Sequence, residues 1–426
     1  METGVQRIYK YLKQLDSGFR RNDGNTSFQT FHDIITFGIF HFAFGIRVFY
    51  MTSWKLDCRY FIGDRPCGFK RVCEGCGQYS PMGKRILIVK LAALGDVLRT
   101  TPLLSGLKRE YPQSHITWVA DREALPLLKN SPHLDRLLPF DFPSLLPLEL
   151  ETFDLVIGLE KEPRGAALAS KVQAGERRGF GLGPEGSVYP LNRASEYAFF
   201  LGLADDLKFH RNQKTYPELI FEAAELDYQK DEYLLFLSPE DRAFAEAFAK
   251  RVGLKKGDTV VGLNTGAGDV FANKAWTLEG YLRLIEGLKR DKKIRLLLLG
   301  GPKERERNRK ILRQTKGAVI DAGCDNTLGQ FSALVNLCDL VVTGDTTALH
   351  LAIGLKKKVL ALFGPTCAQE IELYGRGEKI ISPLSCAPCY RRSCSVVPNC
   401  MEAISAEEVM RKIRALRPGR QRARRA

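Results

Sequence analysis

Asp339-Leu340-Val341-Val342-Thr343 is an apolar run that breaks directly into Gly344-Asp345-Thr346-Thr347-Ala348-Leu349-His350-Leu351-Ala352. The first part has the composition of a strand buried on both faces of a parallel sheet. The second is a small-residue turn that opens a helix. The unpaired N–H groups of a helix start, together with the helix dipole, offer a place for a phosphate. Asp345, Thr346 and Thr347 can cap that helix or meet the hydroxyls of a ribose. Taken alone, the turn suits plain capping as well as ligand binding, so the rest of the chain has to decide.

The same strand-then-turn pattern recurs. Lys84-Arg85-Ile86-Leu87-Ile88-Val89-Lys90 leads into Leu91-Ala92-Ala93-Leu94-Gly95-Asp96, and a helix is expected from Val97 to Tyr111, interrupted near its start by Pro102. His115–Ala120 and Phe153–Leu159 read as further strands. A more charged, helical stretch from 216 to 257 reads as a connection. A second α/β unit opens at Thr259-Val260-Val261-Gly262-Leu263-Asn264, with strands at 294–299, 319–321, 340–342 and 359–363. Alternation of this kind specifies parallel sheets covered on both faces. The expectation is an α/β chain of two Rossmann-like domains, 84–215 and 258–415. Neither opens its first helix with Gly-x-Gly-x-x-Gly, which argues against a nicotinamide dehydrogenase.

At 426 residues the chain exceeds a single core and has room for two domains with extensions. Its formal charge of +15 favours anionic partners. Part of that charge lies in a basic tail, 416–426, read mainly as a solvated end. Residues 1–50 read as an extension. They hold a polar stretch, 15–25, that resembles translated intergenic repeats, which makes Met51 the expected start. The aromatic run 34–50 falls short of the about 20 apolar residues of a spanning helix.

Eight of the 11 cysteines form two clusters. Cys58, Cys67, Cys73 and Cys76 occupy a cysteine-rich segment, 51–83; Cys386, Cys389, Cys394 and Cys400 lie near the end. Four thiolates and one Cys-x-x-Cys each suffice for structural zinc or an iron–sulfur cluster. The spacing is not that of a paired zinc ribbon, and free thiols are the alternative.

Four loops at the carboxyl ends of expected strands carry the candidate chemistry, since open α/β sheets bind ligands there. They are Gly95-Asp96; Asn264-Thr265-Gly266-Ala267-Gly268 running to Lys274-Ala275-Trp276; Gly300-Gly301-Pro302-Lys303-Glu304; and Gly344 to His350. Together, in this order, they resemble the glycosyltransferase family of bacterial lipopolysaccharide heptosyltransferases. The resemblance spans about residues 84–415. It implies a GT-B fold, with two Rossmann-like domains facing a central cleft, an acceptor in the first and a nucleotide-activated sugar, commonly ADP-heptose, in the second. It implies Asp96 as the base and Lys274 as the phosphate-binding lysine. Donor contacts are implied at Thr265, Gly266, Glu304, Gly344, Asp345, Thr346, Thr347, Ala348 and His350, and an acceptor contact at Arg164. Thr347 departs from the family, which commonly has glycine there.

An inverting transfer fits these parts. A carboxylate takes the proton of the attacking hydroxyl, and a lysine with a helix start receives the charge of the leaving diphosphate. The transfer is expected to need no cofactor. The expected partners are a nucleotide-diphosphate sugar and a lipid-linked, lipopolysaccharide-core-like glycan, met in the cytoplasm at the inner membrane, with no nucleic acid. A transferase of the same fold acting on another glycan or a protein is the nearer alternative. A metal-containing nucleic-acid-binding protein would account for the charge and the cysteines, but for neither Lys274 nor the ordered loops.

Overall fold

The structure is a computed structural model that describes residues 54–268 and 272–417. The expected extension 1–50 and all but the first two residues of the basic tail lie outside the described residues. The chain divides into two compact units. The smaller contains Gly63–Gln78 and is built on tight turns: Lys70 N–H donates to the Cys67 carbonyl at 2.8 Å and Cys76 N–H to the Cys73 carbonyl at 3.2 Å. Asp57–Ile62 and everything from Tyr79 onward belong to the larger unit.

The larger unit contains two six-stranded sheets. The first has the order β3-β2-β1-β4-β5-β6, from β1 (Arg85–Val89), β2 (His115–Ala120), β3 (Arg136–Pro139), β4 (Thr152–Gly158), β5 (Gln173–Leu182) and β6 (Val188–Pro190). All neighbours are parallel except β5 and β6. The second has the order β12-β11-β10-β7-β8-β9 and is wholly parallel. Its strands are β7 (Thr259–Asn264), β8 (Ile294–Leu299), β9 (Ile320–Asp321), β10 (Leu340–Gly344), β11 (Lys358–Phe363) and β12 (Gly377–Ile381). Read from either end, both are the doubly wound order 3-2-1-4-5-6, so strand order reverses between β1 and β4 and between β7 and β10. The expected pair of Rossmann-like domains is therefore present.

The central strands are apolar because helices cover both faces. Ile86, Leu87, Ile88 and Val89 are all fully buried, as are Val341 and Val342. The helix expected from Val97 to Tyr111 is instead two, Leu94–Thr100 and Pro102–Glu110. Pro102 takes the first position of the second helix, where its missing N–H costs nothing. The Thr101 hydroxyl bonds the Leu98 carbonyl at 2.7 Å and accepts the Leu234 N–H at 2.8 Å, fixing the joint.

The two halves of the larger unit meet through the Leu94–Thr100 helix and the Thr347–Gly354 helix. Gly95 makes that approach possible: a Cβ there would lie 2.5 Å from His350 Cδ2. Each of these helices follows the strand at its sheet's switch point, so packing them together brings the two ligand-binding edges face to face. Among the described residues no helix is long and apolar enough to cross a membrane.

Candidate active site

β1 is followed by Lys90 and β4 by Leu159 and Glu160, so two charges emerge side by side at the first switch point. Lys90 Nζ lies 3.1 Å from Glu160 Oε2, and the same oxygen accepts the N–H groups of Leu91 and Ala92 at 3.1 and 3.3 Å. Both residues are buried. Removing one member of such a pair leaves an unpaired buried charge, at about 3–5 kcal/mol. The pair therefore fixes the turn that carries Asp96.

Asp96 stands in the first turn of the Leu94–Thr100 helix. Arg99 Nε is 3.0 Å from its Oδ1 and Lys90 Nζ is 4.0 Å from its Oδ2. Burial opposes its charged form, but Arg99, then Lys90 and His350, outweigh it, and its carboxyl sits below the usual value. Asp96 is thus ionised at neutral pH. Its side chain remains 37% exposed, enough for a substrate hydroxyl to reach it. Arg99 in turn lies 3.7 Å over the Tyr216 ring and 3.5 Å from Glu370.

The second domain supplies the opposite wall. Lys274 ends a short turn, Ala272–Lys274, that lies against β10: a Cβ on Gly344 would come 2.9 Å from the Lys274 carbonyl oxygen. Lys274 Nζ is 3.8 Å from Asp345 Oδ2, and His350 Nε2 is 3.8 Å from Asp345 Oδ1. Burial pushes the Asp345 carboxyl up, but His350, Lys274 and Arg99 together hold it well below its usual value. Arg99 and His350 act on both Asp96 and Asp345, and the two carboxylates repel each other. Asp96 and Asp345 are therefore within electrostatic reach of each other, with His350 packed against the Gly95 turn between them. His350 is nearly buried, with Nδ1 lacking a hydrogen-bond partner among the described residues.

The remaining expected donor residues cluster around the same edge, but not all with free chemistry. Thr346 is the N-cap residue of the Thr347–Gly354 helix, and its hydroxyl is engaged by Thr343 at 3.0 Å and Asn264 at 3.2 Å. Thr347 opens the helix and Ala348 is buried behind it. Thr265 is buried, its hydroxyl bonded to Asn308 Oδ1 at 2.6 Å, so its side chain braces the loop. Gly266 faces Glu304: a Cβ there would meet the Glu304 carboxyl carbon at 3.2 Å. Glu304 accepts the Gly301 N–H at 2.9 Å.

A cavity of about 280 Å³ opens beside Asp96, lined by Lys90, Arg99, Glu160, Lys161, Lys208, Tyr216 and Glu370 among others. Arg164 does not line it. That guanidinium is held by Glu162 at 2.5 and 2.7 Å and by Asp121 at 3.4 Å, beside the Phe140 ring. Lys171 is likewise paired with Glu149, and Arg178 with Glu176 and the Ala224 carbonyl. Lys90 and Glu160 were legible as charges that close apolar strands. Lys208, Tyr216 and Glu370 reach the site only through tertiary packing.

The cysteines form no disulfide, and among the described residues no three His, Cys, Asp or Glu side chains are gathered to hold a metal ion. Burial first, then Cys389, Cys394 and Cys386, push the Cys400 thiol above its usual value.

The chain matches the family described as glycosyltransferase family 9 (heptosyltransferase) over residues 147–399. It is 22% identical over 292 residues to the lipopolysaccharide core heptosyltransferase OpsX of Haemophilus influenzae, covering 66% of this chain and 79% of that protein. Among solved structures it is similar to the glycosyl transferase family 9 protein of Veillonella parvula, at a TM-score of 0.64 and 22% identity, covering 78% of this chain and 97% of that one. The E. coli heptosyltransferase WaaC with ADP superimposes at a TM-score of 0.56 and 20% identity, covering 78% and 100% of the two chains.

Proposed function

The chain belongs to glycosyltransferase family 9, and from that premise we propose that it is an inverting heptosyltransferase moving heptose from ADP-heptose to a lipopolysaccharide-core acceptor. The observation that supports this reading is the packing of the Gly95–Asp96 turn against His350, which lies 3.8 Å from Asp345, itself 3.8 Å from Lys274. The names of its relatives, a core heptosyltransferase and a heptosyltransferase with ADP, support the sugar, the acceptor and the nucleotide.

In the assigned mechanism the acceptor hydroxyl lies against Asp96, with its oxygen aimed at the anomeric carbon. Asp96 takes the proton as the new C–O bond forms. The bond from the anomeric carbon to the diphosphate oxygen breaks, and its electron pair leaves with ADP. One displacement inverts the anomeric centre. Lys274 and the first-turn N–H groups of the Thr347–Gly354 helix face the diphosphate as it gains charge, with little reorganisation required. Glu304 and Gly266 form the neighbouring wall for the nucleoside. Arg99 and Lys90 keep Asp96 ionised and oriented.

Thermal-shift titration with ADP, UDP, GDP and nucleic acid, followed by transfer from ADP-heptose and from UDP- and GDP-sugars to a deacylated core acceptor, tests the reading. Stabilisation by ADP together with heptose on the acceptor is the expected result. Stabilisation by nucleic acid alone, or transfer from a different nucleotide sugar only, would overturn it. Residence in the cytoplasm with peripheral contact at the inner membrane follows as part of this proposal, because the acceptor is lipid-linked.

Structural zinc or iron–sulfur at the second cysteine cluster is a separate proposal, supported by the close sequence spacing of Cys386, Cys389, Cys394 and Cys400. No step of the transfer uses it. Elemental analysis of anaerobically purified protein is expected to find about one zinc, or cluster iron, per four-thiol site; finding neither metal ends this proposal.

A further inference from the structure

The cavity beside Asp96 holds four cationic side chains, Lys90, Arg99, Lys161 and Lys208, and three carboxylates, Asp96, Glu160 and Glu370. The carboxylates are fully taken up by two of the cations. Lys90 pairs with Glu160 and Asp96, and Arg99 pairs with Asp96 and Glu370. Lys161 and Lys208 make no ion pair among the described residues. Lys161 donates to the Ala198 carbonyl and holds its ammonium 4.7 Å over the Phe180 ring; Lys208 lies 4.0 Å over the Tyr390 ring. Aromatic faces stabilise a cation while leaving its remaining N–H donors available.

We propose that Lys161 and Lys208 form an anion subsite in this cavity, which receives a carboxylate or phosphate of the acceptor while Asp96 takes the proton of its hydroxyl. The inference rests on the transferase reading and names the chemical group by which the acceptor is recognised. Two lysines without carboxylate partners in one pocket repel each other, and an entering anion relieves that repulsion. The electrostatics agree. Burial, then the charge of Lys208, lowers the Lys161 ammonium to about 8, with Lys90 acting in the same direction and Glu370 against it. A bound anion would favour the protonated form. The placement also explains why Arg164, three residues away and already paired, is not required for this role.

The test measures transfer from ADP-heptose to a deacylated core acceptor as the acceptor concentration is varied, for the wild type, Lys161→Gln, Lys208→Gln and the double variant. It is run beside calorimetric binding of the acceptor without donor. Each single change is expected to raise acceptor KM about tenfold or more, with KM for ADP-heptose unmoved. Lys161→Arg is expected to recover much of the loss. In the wild type, acceptor KM should rise as pH passes about 8, and Lys161→Gln should lose that dependence. Two modified acceptors, one with carboxylates reduced to alcohols and one dephosphorylated, identify the anion, since the one lacking it no longer distinguishes wild type from variant.

An unchanged acceptor KM in the double variant, or a rise in donor KM instead, overturns the subsite and leaves the transferase standing. Acceptor binding that is lost in the variants, from a wild type that transfers no heptose, overturns the reaction and leaves the subsite standing. A wild type that neither binds nor transfers overturns both.

Discussion

Asp96→Asn is expected to lower turnover by roughly 10²–10⁴-fold, the usual contribution of a positioned base, while ADP still stabilises the protein. The amide keeps the shape of the carboxylate but cannot accept a proton from the attacking hydroxyl. Its cationic neighbours are not left stranded, because Lys90 retains Glu160 and Arg99 retains Glu370. The fold should therefore tolerate the change, and unfolding by urea should confirm that the loss is chemical. The sign of the pH effect follows from the same contacts. The Asp96 carboxyl is held below its usual value, so the ionised form persists as pH falls through the ordinary carboxylate range near 4. Loss of turnover through protonation of this group is confined to still lower pH, and stability gained from its pairing is lost there too. A variant with turnover within a few-fold of wild type, in single-turnover measurements with ADP-heptose, would remove Asp96 from the mechanism.

The four loops were readable because each is a local event: an apolar strand ends, small residues follow, and a helix begins. Such a transition leaves its mark within about ten residues, and the doubly wound order then places all four at strand ends. Elements without that local mark were invisible. β5 includes Glu176, Arg177 and Arg178, a charged run without strand-like apolar patterning; in the structure Arg177 bonds the Val172 carbonyl and Arg178 the Ala224 carbonyl, so these charges brace the sheet. β3 and β12 are short edge strands, half-buried, with too little apolar alternation to stand out. The proposed anion subsite was not legible for a related reason. Arg164 carries the more prominent charge, but the Pro163–Lys171 helix holds it among Glu162 and Asp121, while Lys161, just before the helix, faces the cavity. Which of two neighbouring cations is already neutralised is a property of tertiary packing, and no spacing reports it.

Lys274→Met is expected to reduce turnover by about 10²–10³-fold, the effect of deleting one preorganised charge at a transition state. Unlike Asp96→Asn, it should also weaken stabilisation by ADP. In the proposed mechanism the contrast arises because Lys274 faces the diphosphate before and during bond breaking, whereas Asp96 meets only the acceptor. Its position is set by β10, through the close approach at Gly344, and its ammonium is kept 3.8 Å from Asp345. Asp345 therefore holds the lysine at the mouth of the Thr347–Gly354 helix, where the helix dipole adds to the same field. Methionine preserves much of the stem volume and removes the charge, leaving Asp345 with His350 and the charge of Arg99. Lys274→Arg keeps the charge but spreads it over a wider planar group, and should recover turnover only in part. Turnover and ADP stabilisation both equal to wild type in Lys274→Met would show that the leaving group is stabilised elsewhere. Loss of ADP stabilisation with full turnover at saturating donor would confine Lys274 to ground-state binding.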